Sequence, residues 1–266
     1  MTRSDIANAS RQMEFDALIF VHGFLDSHAV WNQLINALPP SSIPIIAPDL
    51  RGAGKRRDED SECTLQQAVS DIARLLDELQ LSRVALVGHS MGAQIAELVA
   101  VERAAQVASL TLITPTPLRG NTLPDEVRDL LRESGDDPVA QRKIRAAFST
   151  NLSNAQLDAL AATHLLMHKA TVRQYYDAFT QGDARGNVPC AYRGPVLVIG
   201  AQDDPVITRD QVAASCRERF PAADFRIVTN SGHWPHLEQP AHTAQLLARH
   251  LGWTRAQAVQ AESAMQ

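Results

Sequence analysis

A serine, Ser90, lies between two glycines at the end of a short apolar run, in the sequence Val-Gly-His-Ser-Met-Gly-Ala. This pattern is typical of a sharp strand-to-helix turn that exposes the serine hydroxyl, because a Cβ at either glycine would collide with the neighbouring strand or helix. A serine hydroxyl is a poor nucleophile at neutral pH, so it needs a base, and the base needs an orienting acceptor. The pattern predicts a nucleophilic serine if the chain supplies both partners.

The base must be one of nine histidines. His233 is the best candidate because it follows a glycine in a loop after the last predicted strand. His89 adjoins Ser90, but the side chains of neighbours at a turn diverge. His164 and His168 lie four residues apart on a predicted helix, which would suit a metal, but no nearby Asp, Glu or Cys completes a site. We therefore predict His233 as the base and no metal.

Several motifs resemble those of the α/β-hydrolase family. The Ser90 turn resembles the family's nucleophile elbow, and His22-Gly23 follows the first predicted strand. An Asp-x-Arg-Gly-x-Gly loop begins at Asp49, where we expect Asp49 and Arg51 to be structural. A Gly-His-x-x-x-x-Glu-x-Pro pattern includes His233. The resemblance implies acyl transfer to water through an acyl-serine intermediate, with residues in the chain order Ser, Asp, His.

The orienting acid should follow the predicted strand Val196 to Ile199, where the sequence reads Gly-Ala-Gln-Asp-Asp-Pro. The family's acid is normally the third residue after the glycine, which selects Asp203. The common Asp-Pro pairing would select Asp204 instead. We predict Asp203, with Asp204 as the alternative.

Negative charge on a tetrahedral oxyanion must meet preorganised donors. By resemblance to the family, these donors are the backbone N–H groups of Phe24 and Met91. Trp31 and Trp234 lie in or near loops at the same predicted edge, and we expect both to bind substrate.

Short apolar strands alternate with amphipathic helices, which predicts an α/β fold: a mostly parallel sheet with helices on both faces. The alternation stops between residues 116 and 192, where four helical segments follow one another. We therefore predict an α/β-hydrolase core over residues 1–115 and 193–266 and a helical cap, or lid, over residues 116–192. Ligands in such sheets bind beyond the carboxyl ends of the strands. The candidate residues follow these ends: His22, Asp49, Ser90, Asp203 and His233.

Length and composition limit the number of domains and the kinds of partner that the chain can have. The 266 residues, 45% of them hydrophobic, fit one domain with an insertion. A net charge of −5 argues against a nucleic-acid surface. The sequence shows no span of about 20 apolar residues and no signal peptide, so we expect a cytoplasmic monomer or homodimer with no membrane partner. Three scattered cysteines indicate neither disulfides nor a zinc site.

These observations predict a carboxylesterase-type serine hydrolase without cofactor, acting on a small to medium apolar ester, thioester or lactone. Carbon-carbon bond hydrolysis and peracid formation use the same residues and stay open. A non-catalytic small-molecule receptor on the same scaffold is a further alternative. Relatives that are haloalkane dehalogenases or epoxide hydrolases use an aspartate at the elbow, and Ser90 cannot form their alkyl-enzyme ester.

Overall fold

The computed structural model describes residues 14–59, 62–162, 164 and 166–253, and it contains one parallel sheet. The spatial order of the strands is β2-β1-β3-β4-β5-β6, and every neighbouring pair is parallel. The strands are β1 (Ala17–Val21), β2 (Ile45–Ile46), β3 (Val84–His89), β4 (Val107–Ile113), β5 (Val196–Ala201) and β6 (Asp224–Val228). The predicted fold class is confirmed.

Helices cover both faces of the sheet, because each parallel pair needs a crossover connection. The helices are α1 (Asn32–Ala37), α2 (Leu65–Glu78), α3 (Met91–Glu102), α4 (Asp125–Arg132), α5 (Pro138–Phe148), α6 (Asn154–Leu160), α7 (Lys169–Gln181), α8 (Arg209–Arg219), α9 (Pro235–Glu238) and α10 (Pro240–His250). Side chains of β1 alternate between two buried clusters, with Ile19 packing beside α2 and α3 and Phe20 beside α1 and α10. No helix among the described residues has the length and apolar character needed to cross a membrane.

Local sequence signals account for the starts of helices α2 and α8. Thr64 accepts a hydrogen bond from the Gln67 amide at the start of α2, and Thr208 with Gln211 forms a capping box at the start of α8. One of the four predicted helical segments, which the sequence pattern places over residues 155–168, ends at Leu160, so that prediction is wrong for the residues after it. There the chain leaves the helix, and the Leu166 carbonyl accepts a hydrogen bond from Arg57 instead.

The segment between β4 and β5 holds the four helices α4 to α7 and no strand among its described residues. Side chains from three of these helices face the carboxyl end of the sheet: Leu131 from α4, Ile144 and Phe148 from α5, and Phe179 from α7. The bounds of the cap, residues 116–192, stay a prediction. The predicted core also includes residues 1–13 and 254–266, which lie outside the described residues.

Candidate active site

Ser90 has a left-handed backbone conformation, in a turn where the two flanking glycines pack closely against the backbone of other residues. Ser90 has φ 53° and ψ −117°, between the last residue of β3 and the first of α3. A Cβ on Gly88 would lie 2.3 Å from the Gly92 carbonyl oxygen, and a Cβ on Gly92 would lie 2.3 Å from the Val21 carbonyl oxygen. Only glycine fits both positions, as the sequence pattern predicts. The strained serine conformation is of the kind that clusters at functional sites.

Three side chains form a hydrogen-bonded chain at the carboxyl edge of the sheet. The Ser90 Oγ atom lies 3.0 Å from His233 Nε2. On the other side of the imidazole ring, His233 Nδ1 lies 2.7 Å from Asp204 Oδ2. The other carboxylate oxygen, Oδ1, accepts hydrogen bonds from the backbone amides of Val206 at 2.8 Å and Ile207 at 3.0 Å. This arrangement can pass a proton from the hydroxyl to the ring and hold the ring in one orientation.

The carboxylate that contacts His233 is Asp204, so the prediction of Asp203 is corrected. Asp203 is exposed, whereas Asp204 is buried. Beyond β5 the chain turns at Gln202 and Asp203, and the Asp203 amide donates a hydrogen bond to the Ser231 carbonyl at 2.9 Å. The turn at Pro205 then brings the amides of residues 206 and 207 onto Asp204, an Asx-type turn.

The electrostatics of the pair favour an ionised Asp204. Burial raises the pKa of Asp204, but the imidazole of His233 and the two backbone amides lower it by more, so its pKa lies below the usual range. Burial lowers the pKa of His233, but the Asp204 carboxylate outweighs this and the net shift is upward. His89 instead places Nε2 2.9 Å from the His233 carbonyl oxygen. It therefore supports the backbone of the loop that carries the base.

The two residues predicted as oxyanion donors lie on either side of Ser90. Met91 is the first residue of α3, so its N–H is one of the four that an α-helix leaves without an intrahelical partner. The Phe24 amide donates no hydrogen bond to the described residues, and Phe24 lines the same cavity as Ser90. The roles of both residues stay predictions.

The cavity beside Ser90 is small and mostly apolar. Its volume is about 40 Å³. Its walls are formed by Phe24, Leu25, Ser90, Thr116, Asn121, Leu123, Leu131, Ile144, Phe148, Phe179, Val206, Ile207, His233 and Trp234. The cavity therefore offers mostly apolar surface to a group bound beside Ser90.

Of the two tryptophans predicted to bind substrate, one lines this cavity. Trp234 is a wall residue, whereas Trp31 is fully buried outside it, and the prediction for Trp31 is wrong. The Trp31 ring packs against Phe20, with ring centroids 4.9 Å apart, and against His236 at 4.6 Å. It lies on the short helical turn before α1, whose apolar side packs on the sheet face and not on the carboxyl edge.

The loops predicted to be structural have structural partners. Asp49 accepts hydrogen bonds from the backbone amides of His28 at 2.7 Å and Lys55 at 2.9 Å. Arg51 binds both carboxylate oxygens of Asp71, at 2.6 Å and 2.8 Å. These contacts fix the loop that follows β2.

A family model described as the alpha/beta hydrolase family matches residues 18–246. The chain belongs to this family. The match extends from β1 into α10, so it includes both the sheet and the helical insertion. The predicted resemblance is confirmed, and so is the prediction that the chain is a hydrolytic enzyme.

Individual relatives of this alpha/beta hydrolase carry several hydrolase names. The chain is 28% identical over 249 residues to lipase LipV of Mycobacterium tuberculosis, and the match covers 88% of this chain and 93% of the relative. An epoxide hydrolase of Caballeronia sordidicola is 35% identical over 134 residues, which cover 48% of this chain and 40% of the relative. A thermophilic esterase from Thermogutta terrifontis has the same fold, with a TM-score of 0.75 at 22% identity, covering 88% of this chain and 89% of that chain.

Two residues near the site of this alpha/beta hydrolase are absent from the sequence predictions. Asp26 and Arg145 are both buried and lie 3.4 Å apart, Oδ1 to Nη2. The signal in the sequence is the spacing in α5: Arg145 falls four residues after Gln141 and three before Phe148, on the same side of the helix as Ile144. A charged residue on the apolar side of an amphipathic helix indicates a buried partner.

Proposed function

We propose that this alpha/beta hydrolase cleaves carboxylic esters of small apolar acyl groups through an acyl-Ser90 intermediate. Thioesters and lactones fall within the same chemistry. The observation that carries the proposal is the unbroken chain from the Ser90 hydroxyl through His233 to Asp204, with contacts of 3.0 Å and 2.7 Å at the edge of an apolar cavity. The relatives named lipase and esterase support the same chemistry.

The first half of the reaction forms the acyl-enzyme. His233 Nε2 takes the proton of the Ser90 hydroxyl as Oγ attacks the carbonyl carbon of the ester. The carbonyl oxygen becomes an oxyanion and accepts hydrogen bonds from the Phe24 and Met91 amides. The tetrahedral intermediate collapses, the C–O bond to the alcohol breaks, and the imidazolium gives its proton to the leaving alkoxide. Asp204 stabilises the positive ring throughout.

The second half returns the enzyme to its starting state. His233 takes a proton from a water molecule, and the hydroxide attacks the acyl carbon. The same two amides stabilise the second oxyanion, the bond from Ser90 Oγ to carbon breaks, and the imidazolium protonates the serine. The products are a carboxylic acid and an alcohol, and one water molecule is consumed for each ester cleaved.

The nature of the elbow residue separates this proposal from epoxide opening. By the family resemblance, epoxide hydrolases attack an epoxide carbon through an elbow aspartate and form an alkyl-enzyme ester, which water then hydrolyses. Ser90 occupies that position here, and its alkyl ether with an opened epoxide could not be hydrolysed by the same route. The partial match to an epoxide hydrolase therefore does not extend to its chemistry.

Replacing the nucleophile tests the proposal. We expect Ser90→Ala to lower kcat on p-nitrophenyl acetate by about 10⁴- to 10⁶-fold, because attack by the hydroxyl is the step that the other residues assist. The measurement is initial-rate kinetics, with mass spectrometry of the wild-type protein after an organophosphonate ester to locate the adduct. Unchanged turnover in Ser90→Ala contradicts the proposal. An adduct at Ser90 without steady turnover identifies a receptor instead, and cleavage of a vinylogous diketone without ester turnover identifies a carbon-carbon hydrolase.

A further inference from the structure

Arg145 is a buried cation that extends from α5 toward the loop after β1. Only 1% of the surface of Arg145 is exposed to solvent. The Nη2 atom donates to the Leu25 carbonyl oxygen and lies 3.4 Å from Asp26 Oδ1. The Nη1 atom donates to Gln141 Oε1 at 3.2 Å. The guanidinium therefore joins the helical insertion to the loop that carries Phe24.

Asp26 connects this loop to two other parts of the site. Its side chain is fully buried, and its Oδ2 atom accepts a hydrogen bond from Trp234 Nε1 at 3.1 Å. The same oxygen lies 3.6 Å from His89 Nδ1. Burial raises the pKa of Asp26, but its neighbours His89 and Arg145 lower it by more, so its pKa lies well below the usual range and the carboxyl is ionised. The ion pair therefore lies behind His89, which precedes Ser90, and Trp234, which follows His233.

The backbone that Arg145 contacts is in an uncommon conformation. Leu25 has φ 63°, in the left-handed region that residues with a Cβ rarely adopt. Such a conformation persists only where the surroundings hold it. The Leu25 carbonyl, held by the guanidinium, belongs to the residue immediately after Phe24.

The other end of α5 contacts the loop of the base. The His233 amide donates to the Phe148 carbonyl oxygen at 2.8 Å, and a Cβ on Gly232 would lie 2.4 Å from that same oxygen. Just beyond α5, the Thr150 amide donates to Glu238 at 2.7 Å, and this carboxylate also accepts from the Gly232 amide at 3.0 Å. A single helix of the insertion therefore touches the loops on both sides of Ser90.

We propose that Arg145 is a positioning residue for the hydrolysis: it holds the loop from Phe24 to Asp26 so that the Phe24 N–H points at the oxyanion. This inference rests on the proposed ester hydrolysis. If it is right, the Phe24 N–H is positioned to bind the oxyanion only while helix α5 packs against the core. Stability alone is a poor explanation for the pair, since buried ion pairs are often no more stabilising than apolar residues of similar volume.

The test removes the guanidinium without leaving a lone buried charge. In the variant R145M/D26N both charges are replaced together, because an unpaired buried carboxylate would itself destabilise the fold. We expect kcat on p-nitrophenyl acetate to fall by about 10- to 100-fold with KM changed less than about threefold, below the cost of removing an oxyanion donor outright. The inhibition constant of a trifluoromethyl ketone, whose adduct has the same oxyanion, should rise by the same factor.

The variant R142M is the matched control, since Arg142 is on the same helix but pairs with Asp158 at the surface, at 2.6 Å. We expect its kcat and inhibition constant to stay within about twofold of wild type. The variant R145K keeps the charge and should lose less than R145M/D26N, and it carries the test if the double variant does not fold. Wild-type kcat and inhibition constant in a folded R145M/D26N overturn the inference. If the double variant does not fold, wild-type values in R145K overturn it. Absence of wild-type ester turnover overturns the proposed function itself.

Discussion

The two walls of the cavity differ in what they can contribute to a reaction. The wall formed by the sheet edge holds Ser90 and His233, with Asp204 behind them, and these polar side chains are joined by hydrogen bonds. The side chains that helices α4 to α7 add to the opposite wall are all apolar: Leu131, Ile144, Phe148 and Phe179. In the proposed reaction, the core therefore supplies the groups that react, and the insertion shapes the apolar part of the cavity.

Substitutions in the two walls should therefore have different effects on the kinetics. Changes on the sheet side should lower the rate for every ester, because they act on charge that develops in the transition state. Changes on the insertion side should alter which acyl groups fit while leaving the chemistry intact. Helix α5 is the exception, since its buried Arg145 and its Phe148 carbonyl contact the loops of the opposite wall.

The largest effect should come from the carboxylate on the sheet side. We expect Asp204→Asn to lower kcat by about 10⁴-fold, since an amide at this position favours the wrong tautomer of His233 and cannot stabilise the imidazolium. Asp203→Asn is the matched control, and we expect less than a threefold change because solvent screens its exposed side chain. Steady-state kinetics on p-nitrophenyl acetate compare the two, and a larger loss in Asp203→Asn contradicts the geometry.

The two adjacent aspartates also show where sequence reasoning stops. The sequence places both residues after the same strand, and it predicts the parallel order of strands and the Ser90 turn from apolar runs and glycines. Which of two neighbouring side chains faces the base depends on the chain direction beyond β5, which is set by a backbone hydrogen bond between Asp203 and Ser231. That partner is remote in sequence. The local Asp-Pro pairing favours Asp204, but the sequence alone cannot weigh it against the family spacing, which selects Asp203.

Trp31 illustrates the same limit for the binding wall. Its position near a loop suggested contact with substrate, but the direction of its ring is decided by Phe20 on β1 and His236 on α9. Arg145 was visible as a charge on the apolar side of a helix, yet its partner Asp26 is 119 residues away along the chain. Contacts within one element were predictable, whereas contacts between elements required the fold.

The pH dependence of activity should report the protonation of His233, on the sheet side of the cavity. His233 acts as a base only when neutral, and its pKa is raised above 6.5 by Asp204 despite its burial. We therefore expect kcat/KM to fall tenfold per pH unit below a midpoint that lies above that of a free histidine. Rate profiles from pH 5 to 9 check this, with Ser90→Ala as the background. A midpoint below 6.5 would show that Asp204 does not stabilise the charged ring.

The smallest effect concerns the insertion side and is a change in preference. The cavity of about 40 Å³ predicts faster turnover of acetate than of hexanoate esters in the wild type. Phe148→Ala removes a ring from the wall, and each methylene that the enlarged cavity buries is worth ~0.8 kcal/mol, or about fourfold in kcat/KM. We expect the ratio of butyrate to acetate turnover to rise about tenfold, measured on p-nitrophenyl esters.

Val139→Ala is the matched control for this change, because Val139 lies on the same helix but is 75% exposed. It should leave the ratio of butyrate to acetate turnover unchanged. If Phe148→Ala instead lowers kcat equally for all esters, the ring acts through the neighbouring loop of His233, whose amide binds the carbonyl of the same residue. The backbone contact survives the substitution, so a shifted ratio with the acetate rate preserved would separate shape from positioning within a single helix.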